Sequence, residues 1–230
     1  MLGYGDPALT ALQTAIKEIC DLDVAQDGLI FDVESITATP IRAEDVYDGV
    51  RIQFSAYLGK ARISIQLDVG FGDIVIPSPV NVRFPSILNL PEPNLRGYSR
   101  ESLMAEKFHA MVMRGSINSR MKDFYDIWML SQVFDFEFSM ITEAFLKTFE
   151  RRSTELPLDT TFLHSLLTER SGSSIQWQAF LRRNQMRDVP TEFKIILEKI
   201  ETFLEPVIES IHQPVTQNGE WKALGPWVFH

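Results

Sequence analysis

The hydrophobic pattern of this chain changes from a period of two residues to a period of three or four near residue 96. Residues 49–58 and 60–70 alternate apolar and polar side chains, and Gly59 between them suits the tight turn of a β-hairpin. From Ser99 onward the apolar residues recur at helical spacing. A sheet-forming half followed by a helical half predicts an α+β fold.

The same reasoning predicts the individual elements. Residues 7–20 suit a helix, 29–41 suit one or two strands, and 80–90 suit a further strand before the break that Pro91 and Pro93 mark. Residues 151–173 read as a long connection with one short helix. In the helical half we expect helices at about 99–114, 120–134, 139–150, 174–184 and 190–211.

These elements group into three parts. We expect a sheet domain at 1–95, a helical domain at 96–212 and a tail at 213–230. The tail is aromatic but lacks periodicity, so the sequence predicts no structure for it.

Composition narrows the class of protein. The single cysteine, Cys20, rules out an intrachain disulfide and fits a reducing compartment. No apolar run approaches the roughly 18–20 residues of a membrane span, and the N-terminus lacks the basic and apolar regions of a signal peptide. We therefore expect a cytoplasmic protein.

Charge is distributed unevenly along the chain. The net charge of −9 argues against a protein that binds nucleic acid non-specifically along its length, because binding to the phosphates requires Lys and Arg. Residues 1–80 hold 12 acidic and 5 basic residues, whereas residues 96–122 hold 6 basic and 2 acidic ones. A local basic segment suits a compact phosphate-bearing ligand. A solvated helix face is the alternative, and charge alone favours it.

Two isolated residues are candidates for chemistry. Lys107 lies on the apolar side of its predicted helix, where it either extends its ammonium to water or directs it at a phosphate; the helix alone does not decide. Asp68 lies on the polar face of the second hairpin strand, near the end of that strand. Strand ends often present catalytic side chains, but a solvent-facing acid is the simpler interpretation of Asp68.

The helix predicted from residue 120 opens with a dense group of charges. Asp123 borders the apolar side of this helix, and Arg120–Asp123 and Lys122–Asp126 have the spacing of intrahelical ion pairs. Exposed pairs of this kind contribute only a few tenths of a kcal/mol. Simple surface pairing is therefore the alternative to a functional carboxylate.

Three segments of the chain resemble the AbiEii/AbiGii-type nucleotidyltransferase toxins, a branch of the polymerase-β-like superfamily. They are 66–73, 98–107 and 119–128 (Ser-Arg-Met-Lys-Asp-Phe-Tyr-Asp-Ile-Trp), and the last is the most specific. Their order and spacing, with 149–152 downstream, extend the likeness over most of residues 1–212. The resemblance implies a nucleotidyltransferase-like mixed sheet with a hairpin, followed by a C-terminal helical bundle.

The resemblance also implies a function. Such a protein transfers a nucleotide from an NTP to an acceptor, here the acceptor end of tRNA, with Mg²⁺ in the site. It acts as the toxin of a toxin–antitoxin or abortive-infection system, beside an antitoxin protein. The implied catalytic residues are Asp68, a metal-binding carboxylate on the sheet, Lys107, the cation that contacts the triphosphate, and Asp123, the helix carboxylate. Arg120, Lys122 and Asp126 support them.

One part of the family pattern is not found. Relatives begin with a Gly-Gly-type motif and a strand ending in an Asp-x-Asp pair, which supplies the first two metal ligands. Here Leu2-Gly3-Tyr4-Gly5-Asp6 matches the segment that follows that pair in relatives. We therefore expect these 230 residues to be inactive or nearly so, and an unpaired sheet edge to favour self-association.

Two alternatives to the enzyme stay open. The first is a non-catalytic remnant that binds a nucleotide or a protein partner through the same cleft. The second is a general α+β interaction domain whose Lys and Asp residues only pair on the surface.

Overall fold

The computed structural model describes residues 1–3, 5–24, 27–42, 48–87, 90–115, 118–167, 172–213 and 218–230. Tyr4 of the segment at residues 2–6 lies outside this part. The chain divides into two compact units, Met1–Asp73 and Ile74–His230. A sheet and a helix form the first unit and mainly helices form the second, which confirms the α+β prediction. The domain boundary expected at residues 95–96 stays a prediction.

The first unit is a four-stranded sheet with one helix. Its strand order is β1-β4-β3-β2; β1 runs parallel to β4, and the other neighbours are antiparallel. The predicted hairpin is confirmed as β3–β4, and Gly59 in its turn has a φ of 58°. The bounds are β1 Leu2–Gly3, α1 Leu9–Cys20, β2 Leu29–Arg42, β3 Asp48–Leu58 and β4 Ala61–Phe71.

Strand alternation gives this sheet an apolar face and a polar face. The apolar face packs with Ile16 of α1 around Ile52 and Phe54 of β3 and Val69 of β4. On the other face, polar residues of β3 stand directly opposite polar residues of β4. These cross-strand pairs are Arg51–Asp68, Gln53–Gln66 and Ser55–Ser64.

The second unit begins with a two-stranded ribbon that the sequence predicted only in part. Strand β5 covers Val80–Arg83, so the strand expected at 80–90 is too long, and residues 88–89 lie outside the described part. Its partner β6, Asn94–Gly97, was not expected. It starts directly after Pro93, whose carbonyl accepts a hydrogen bond from Phe84 N (2.9 Å), so the prolines mark the turn of the ribbon.

All five predicted long helices are present in the second unit. The Ser99 side chain caps the first of them by accepting a hydrogen bond from Ser102 N (3.1 Å). The short helix expected between residues 151 and 173 is a 3-10 helix, Thr161–Leu167. The α-helices are α2 Arg100–Arg114, α3 Met121–Val133, α4 Phe138–Arg151, α5 Ser173–Arg183 and α6 Phe193–His212. No helix among the described residues is apolar over a length that could cross a bilayer.

The C-terminal segment, for which the sequence predicts no structure, completes the helical core. Strands β8, Gly219–Trp221, and β9, Trp227–Phe229, form a small antiparallel sheet with β7, Phe136–Glu137. Trp221 and Trp227 are buried in the same core as the helices. Their indole N–H groups donate to the carbonyls of Ser131 (2.7 Å) and Phe203 (2.8 Å).

Candidate functional site

Helices α2 and α3 pack side by side and place the candidate charges next to the hydrophobic core of the second unit. Met104, Phe108 and Met111 of α2 are buried, as are Phe124 and Ile127 of α3. Lys107 lies between Met104 and Met111 along the same side of α2, about one helical turn from each, and Asp123 borders the buried side of α3. Both side chains therefore enter a region that water reaches poorly.

Lys107 binds two carboxylates of α3. Its Nζ lies 2.9 Å from Asp123 Oδ1 and 2.9 Å from Asp126 Oδ2. Asp123 is 2% exposed, Asp126 is largely buried, and the Lys107 side chain is 20% exposed. Buried carboxylates are costly unless they are paired, and here one ammonium pairs with both.

Two more cations cover this pair of carboxylates from the outside. Lys122 Nζ lies 2.6 Å from Asp126 Oδ2, and Arg120 Nε lies 3.6 Å from Asp123 Oδ2. Both cationic side chains are more than half exposed. The cluster of Lys107, Arg120, Lys122, Asp123 and Asp126, called the α2–α3 charge cluster below, thus has three cations for two carboxylates and presents its excess positive charge to solvent.

The start of α3 also holds two buried polar atoms without hydrogen bonds. Arg120 Nε, at 3.6 Å, is too distant to donate to Asp123 Oδ2, and within the described residues this oxygen accepts no hydrogen bond. The same holds for Asn118 Nδ2, although Asn118 Oδ1 accepts from Arg120 N (2.9 Å). Asn118 was not among the predicted site residues; an Asn just before a helix is a turn signal, which is the only indication in the sequence.

The ion pairs determine the charge state of Lys107. Burial alone would lower its pKa, but the hydrogen bonds and charges of Asp123 and Asp126 outweigh burial, and the pKa is raised above 10.5. Lys107 is therefore an ammonium at neutral pH. An ammonium has three N–H donors, and the two carboxylates take two of them. Among the residues that the structure describes, the third N–H has no acceptor, so it can donate to a ligand oxygen.

Asp68 lies in the other unit and has a different partner. Arg51, directly opposite on β3, donates from Nε to Asp68 Oδ1 (2.8 Å) and from Nη2 to Oδ2 (2.8 Å). Gln66 Nε2 lies 3.4 Å and 3.5 Å from the same two oxygens. The hydrogen bonds from Arg51 are the main cause of the lowered pKa of Asp68. The sequence did not identify Arg51 as the partner of Asp68, because their contact depends on the register between β3 and β4.

The described residues do not form a magnesium site by themselves. Mg²⁺ needs open oxygen ligands, usually from more than one carboxylate or from substrate phosphates. Both oxygens of Asp68 bind Arg51, and no group of three or more His, Cys, Asp or Glu side chains among the described residues has metal-binding geometry. We therefore assign no chemical step to a metal.

The structure thus brings five of the six predicted site residues together. Lys107, Asp123 and Asp126 form the buried part of the α2–α3 charge cluster, and Arg120 and Lys122 form its exposed part. Asp68 belongs to the unit Met1–Asp73, and its place in a common site with Lys107 and Asp123 stays a prediction.

Comparisons with known proteins identify a family. A protein-family model described as nucleotidyl transferase AbiEii toxin, type IV toxin–antitoxin system, matches residues 1–206. The match spans β1 to most of α6 and includes all six predicted site residues. Searches of curated proteins and of solved structures found no match.

Proposed function

Since this chain belongs to the nucleotidyl transferase AbiEii toxin family, we propose that it transfers a nucleotide from an NTP to the acceptor end of tRNA. Family membership itself gives the chain a nucleotidyltransferase-type role in a toxin–antitoxin system. In the proposed reaction an acceptor hydroxyl attacks the α-phosphorus of the NTP, and pyrophosphate leaves. Asp68, Lys107 and Asp123 are the proposed catalytic residues.

The α2–α3 charge cluster is the observation that carries this proposal. A triphosphate needs fixed positive charge, most of all as charge develops on the departing pyrophosphate. Lys107 binds two carboxylates and, within the described residues, has one N–H without a partner, while Arg120 and Lys122 are exposed beside it. Partial exclusion of water strengthens these charges. We propose that Lys107 contacts the triphosphate and that Asp123 and Asp126 orient it.

The proposed reaction uses Mg²⁺ together with the NTP. Asp68 and further carboxylates would hold this ion. In the described part of the chain, Asp68 is the one such carboxylate on the polar face of the β3–β4 hairpin. We therefore propose that these 230 residues transfer nucleotide poorly by themselves.

Incorporation of labelled nucleotide tests both statements. The chain is incubated with each labelled NTP, total tRNA and Mg²⁺, and the same assay is run with a form that carries the family's Gly-Gly and Asp-x-Asp motifs ahead of residue 1. We expect transfer by the longer form and little by the 230 residues. Robust transfer by the 230 residues contradicts the proposed inactivity, and no transfer by the longer form contradicts the proposed enzyme.

Arg51 binds both carboxylate oxygens of Asp68, and this favours a second candidate function, a non-catalytic protein that binds nucleotide. Its α2–α3 charge cluster would still bind a triphosphate, because that cluster does not depend on Asp68 for its charge. NTP binding by equilibrium dialysis, together with absent transfer by the longer form, would identify this candidate. If the chain binds NTP and Lys107→Ala abolishes that binding, the alternative in which the Lys and Asp residues only pair on the surface is excluded.

We also propose three properties of the setting in which the protein acts. An antitoxin protein binds it, as expected for the toxin of a toxin–antitoxin pair. It works in the cytoplasm, consistent with the single cysteine, Cys20. It self-associates through the edge of β4, where β1 pairs only with Gly70 and Phe71.

A further inference from the structure

The end of α5 carries an exposed group of arginines that the proposed site does not use. Arg182 and Arg183 belong to the last turn of this helix, and Arg187 lies in the segment that follows it. We propose that these three residues, called the α5 arginine group below, bind the phosphate backbone of the acceptor RNA. The inference rests on the proposed function, because that function supplies an RNA as the acceptor, and it adds a binding surface outside the α2–α3 charge cluster.

The backbone that presents these arginines is fixed to the helical core. Met186 N donates to the Leu181 carbonyl (3.0 Å), the hydrogen bond of a Schellman helix end, and the Met186 side chain packs against the core. The buried Trp177 indole donates from Nε1 to the Pro190 carbonyl (3.0 Å). Arg187 lies between these two attachments, so its backbone position relative to α5 is set before a ligand binds.

The α5 arginine group is positive charge without local compensation. All three side chains are exposed, and within the described residues none of them forms an ion pair. By contrast, the exposed Lys147, Lys194 and Lys222 of the same unit each pair with a carboxylate. Residues 173–191 hold three basic residues and one acidic residue in a chain of net charge −9. A phosphate that arrives here meets guanidinium groups that can each bind it with two N–H donors.

Compensation of the helix dipole explains only part of this group. Cations in the last turn of a helix are favourable because they face the negative end of the dipole. This accounts for Arg182 and Arg183, whereas Arg187 lies four residues beyond the end of α5. Three cations along one stretch of chain suit an extended anion with several phosphates better than a single compact phosphate.

Helix α5 also packs against the helix that carries two of the proposed site carboxylates. The Tyr125 ring of α3 contacts the Phe180 ring of α5, with the ring centroids 5.9 Å apart. Tyr125 precedes Asp126 of the α2–α3 charge cluster, and Phe180 precedes Arg182 by two residues. The α5 arginine group thus belongs to a helix that adjoins the cluster, where it can bind the backbone of an RNA whose end reaches the NTP.

Binding of fluorescently labelled tRNA, measured by anisotropy at several salt concentrations and without NTP, tests the proposal. The variant that removes the α5 arginine group is Arg182→Gln/Arg183→Gln/Arg187→Gln. Each phosphate contact that is lost lowers the slope of log K against log salt by about one. We therefore expect this variant to lose about two to three from the slope and to bind tRNA at least about tenfold more weakly at about 0.1 M salt.

The control removes the same charge from exposed positions on α4 and α6, in the variant Lys147→Gln/Lys194→Gln/Lys199→Gln. It should bind tRNA like the parent chain. Arg187→Gln serves as a second variant, because Arg187 lies outside α5 and its loss leaves the helix end intact. This single substitution should lower the slope by about one.

Several outcomes would overturn the inference. They are absent tRNA binding by the parent chain, an unchanged salt slope in the arginine variants, and equal losses in the triple arginine variant and the lysine control. A matching loss of ATP binding in equilibrium dialysis would also overturn it, because the arginines would then bind the nucleotide rather than the RNA.

These measurements do not read nucleotide transfer, so the inference and the proposed function can fail separately. A chain that binds tRNA as predicted, but whose longer form transfers no nucleotide, would contradict the proposed function alone. Transfer by the longer form, combined with tRNA binding that the arginine substitutions leave unchanged, would contradict this inference alone.

Discussion

At the scale of single residues, Lys107 is the counter-ion of two carboxylates that the helices bury. Lys107→Met keeps the apolar stem but leaves Asp123 and Asp126 without their shared ammonium. Breaking a buried ion pair typically costs about 3–5 kcal/mol. We expect a loss of about 3 kcal/mol in the free energy of unfolding measured with urea, because Lys122 still pairs with Asp126.

Lys147 provides the control for this variant. It pairs with Glu150 at 2.8 Å on the surface of α4, and both side chains are well exposed. We expect Lys147→Met to change the free energy of unfolding by less than about 1 kcal/mol. Equal effects of the two substitutions would show that the buried cluster has no special role in stability.

The alkaline limit of stability is a second prediction for Lys107. Its folded-state pKa lies above the unfolded value, so its contribution to stability is complete below about pH 10.5. This contribution is lost as the pH rises through the folded-state pKa. The difference in unfolding free energy between the parent chain and Lys107→Met should therefore be constant up to about pH 10 and shrink above it, as followed by circular dichroism. A difference that already shrinks near pH 8 would contradict the assignment.

How far the site could be predicted depends on whether a contact is local. Arg120–Asp123 and Lys122–Asp126 follow from helical spacing alone, and both pairs are found. The Lys107–Asp126 contact and the burial of Asp123 require the packing of α2 on α3, which spacing within one helix cannot specify. The Arg51–Asp68 contact likewise requires the register of two strands.

At the scale of elements, the two C-terminal strands contribute more to the helical unit than their length suggests. Trp221 is 1% exposed, packs its ring against Phe203 and donates to the Ser131 carbonyl. Truncating a buried aromatic side chain of this size to alanine typically lowers the free energy of unfolding by about 3–5 kcal/mol. We expect Trp221→Ala to lower the free energy of unfolding by about that amount in a urea titration.

Val228, which follows Trp227 in strand β9 and is half exposed, is the matched control. Val228→Ala should cost less than about 1 kcal/mol, because little apolar surface is lost. If Trp221→Ala were as mild as Val228→Ala, the C-terminal strands would not belong to the core.

Long elements were predicted from the sequence, whereas the shortest ones were missed. The 11-residue strands β3 and β4 alternate long enough to be recognised, and the five long helices have several turns of apolar spacing. Strands β8 and β9 have three residues each, too few for a period to be visible. Strand β6 was missed because Pro91 and Pro93 indicate a break, whereas here they precede a return strand.

At the scale of the whole molecule, the free edge of β4 predicts self-association. No described strand covers the part of this edge from Ala61 to Leu67, and Ile63 on β4 is exposed. Light scattering at increasing concentration should give a mass above the 26.3 kDa of one chain. Ile63→Lys should reduce it, because a charge on an edge opposes strand pairing.

The control is Ile175→Lys, which adds the same charge at an exposed apolar position on α5. It should leave the association unchanged. A mass of 26.3 kDa for the parent chain at every concentration would contradict the prediction.

The central claim is that the α2–α3 charge cluster binds the triphosphate of an NTP, and equilibrium dialysis of a labelled NTP tests it directly. Arg120→Gln/Lys122→Gln leaves the buried Lys107 contacts in place and removes the two exposed cations. The control, Lys147→Gln/Lys194→Gln, removes two exposed cations from α4 and α6. We predict NTP binding at least about tenfold weaker in the first variant and unchanged in the second. Equal NTP affinity in both variants and the parent chain would contradict the claim.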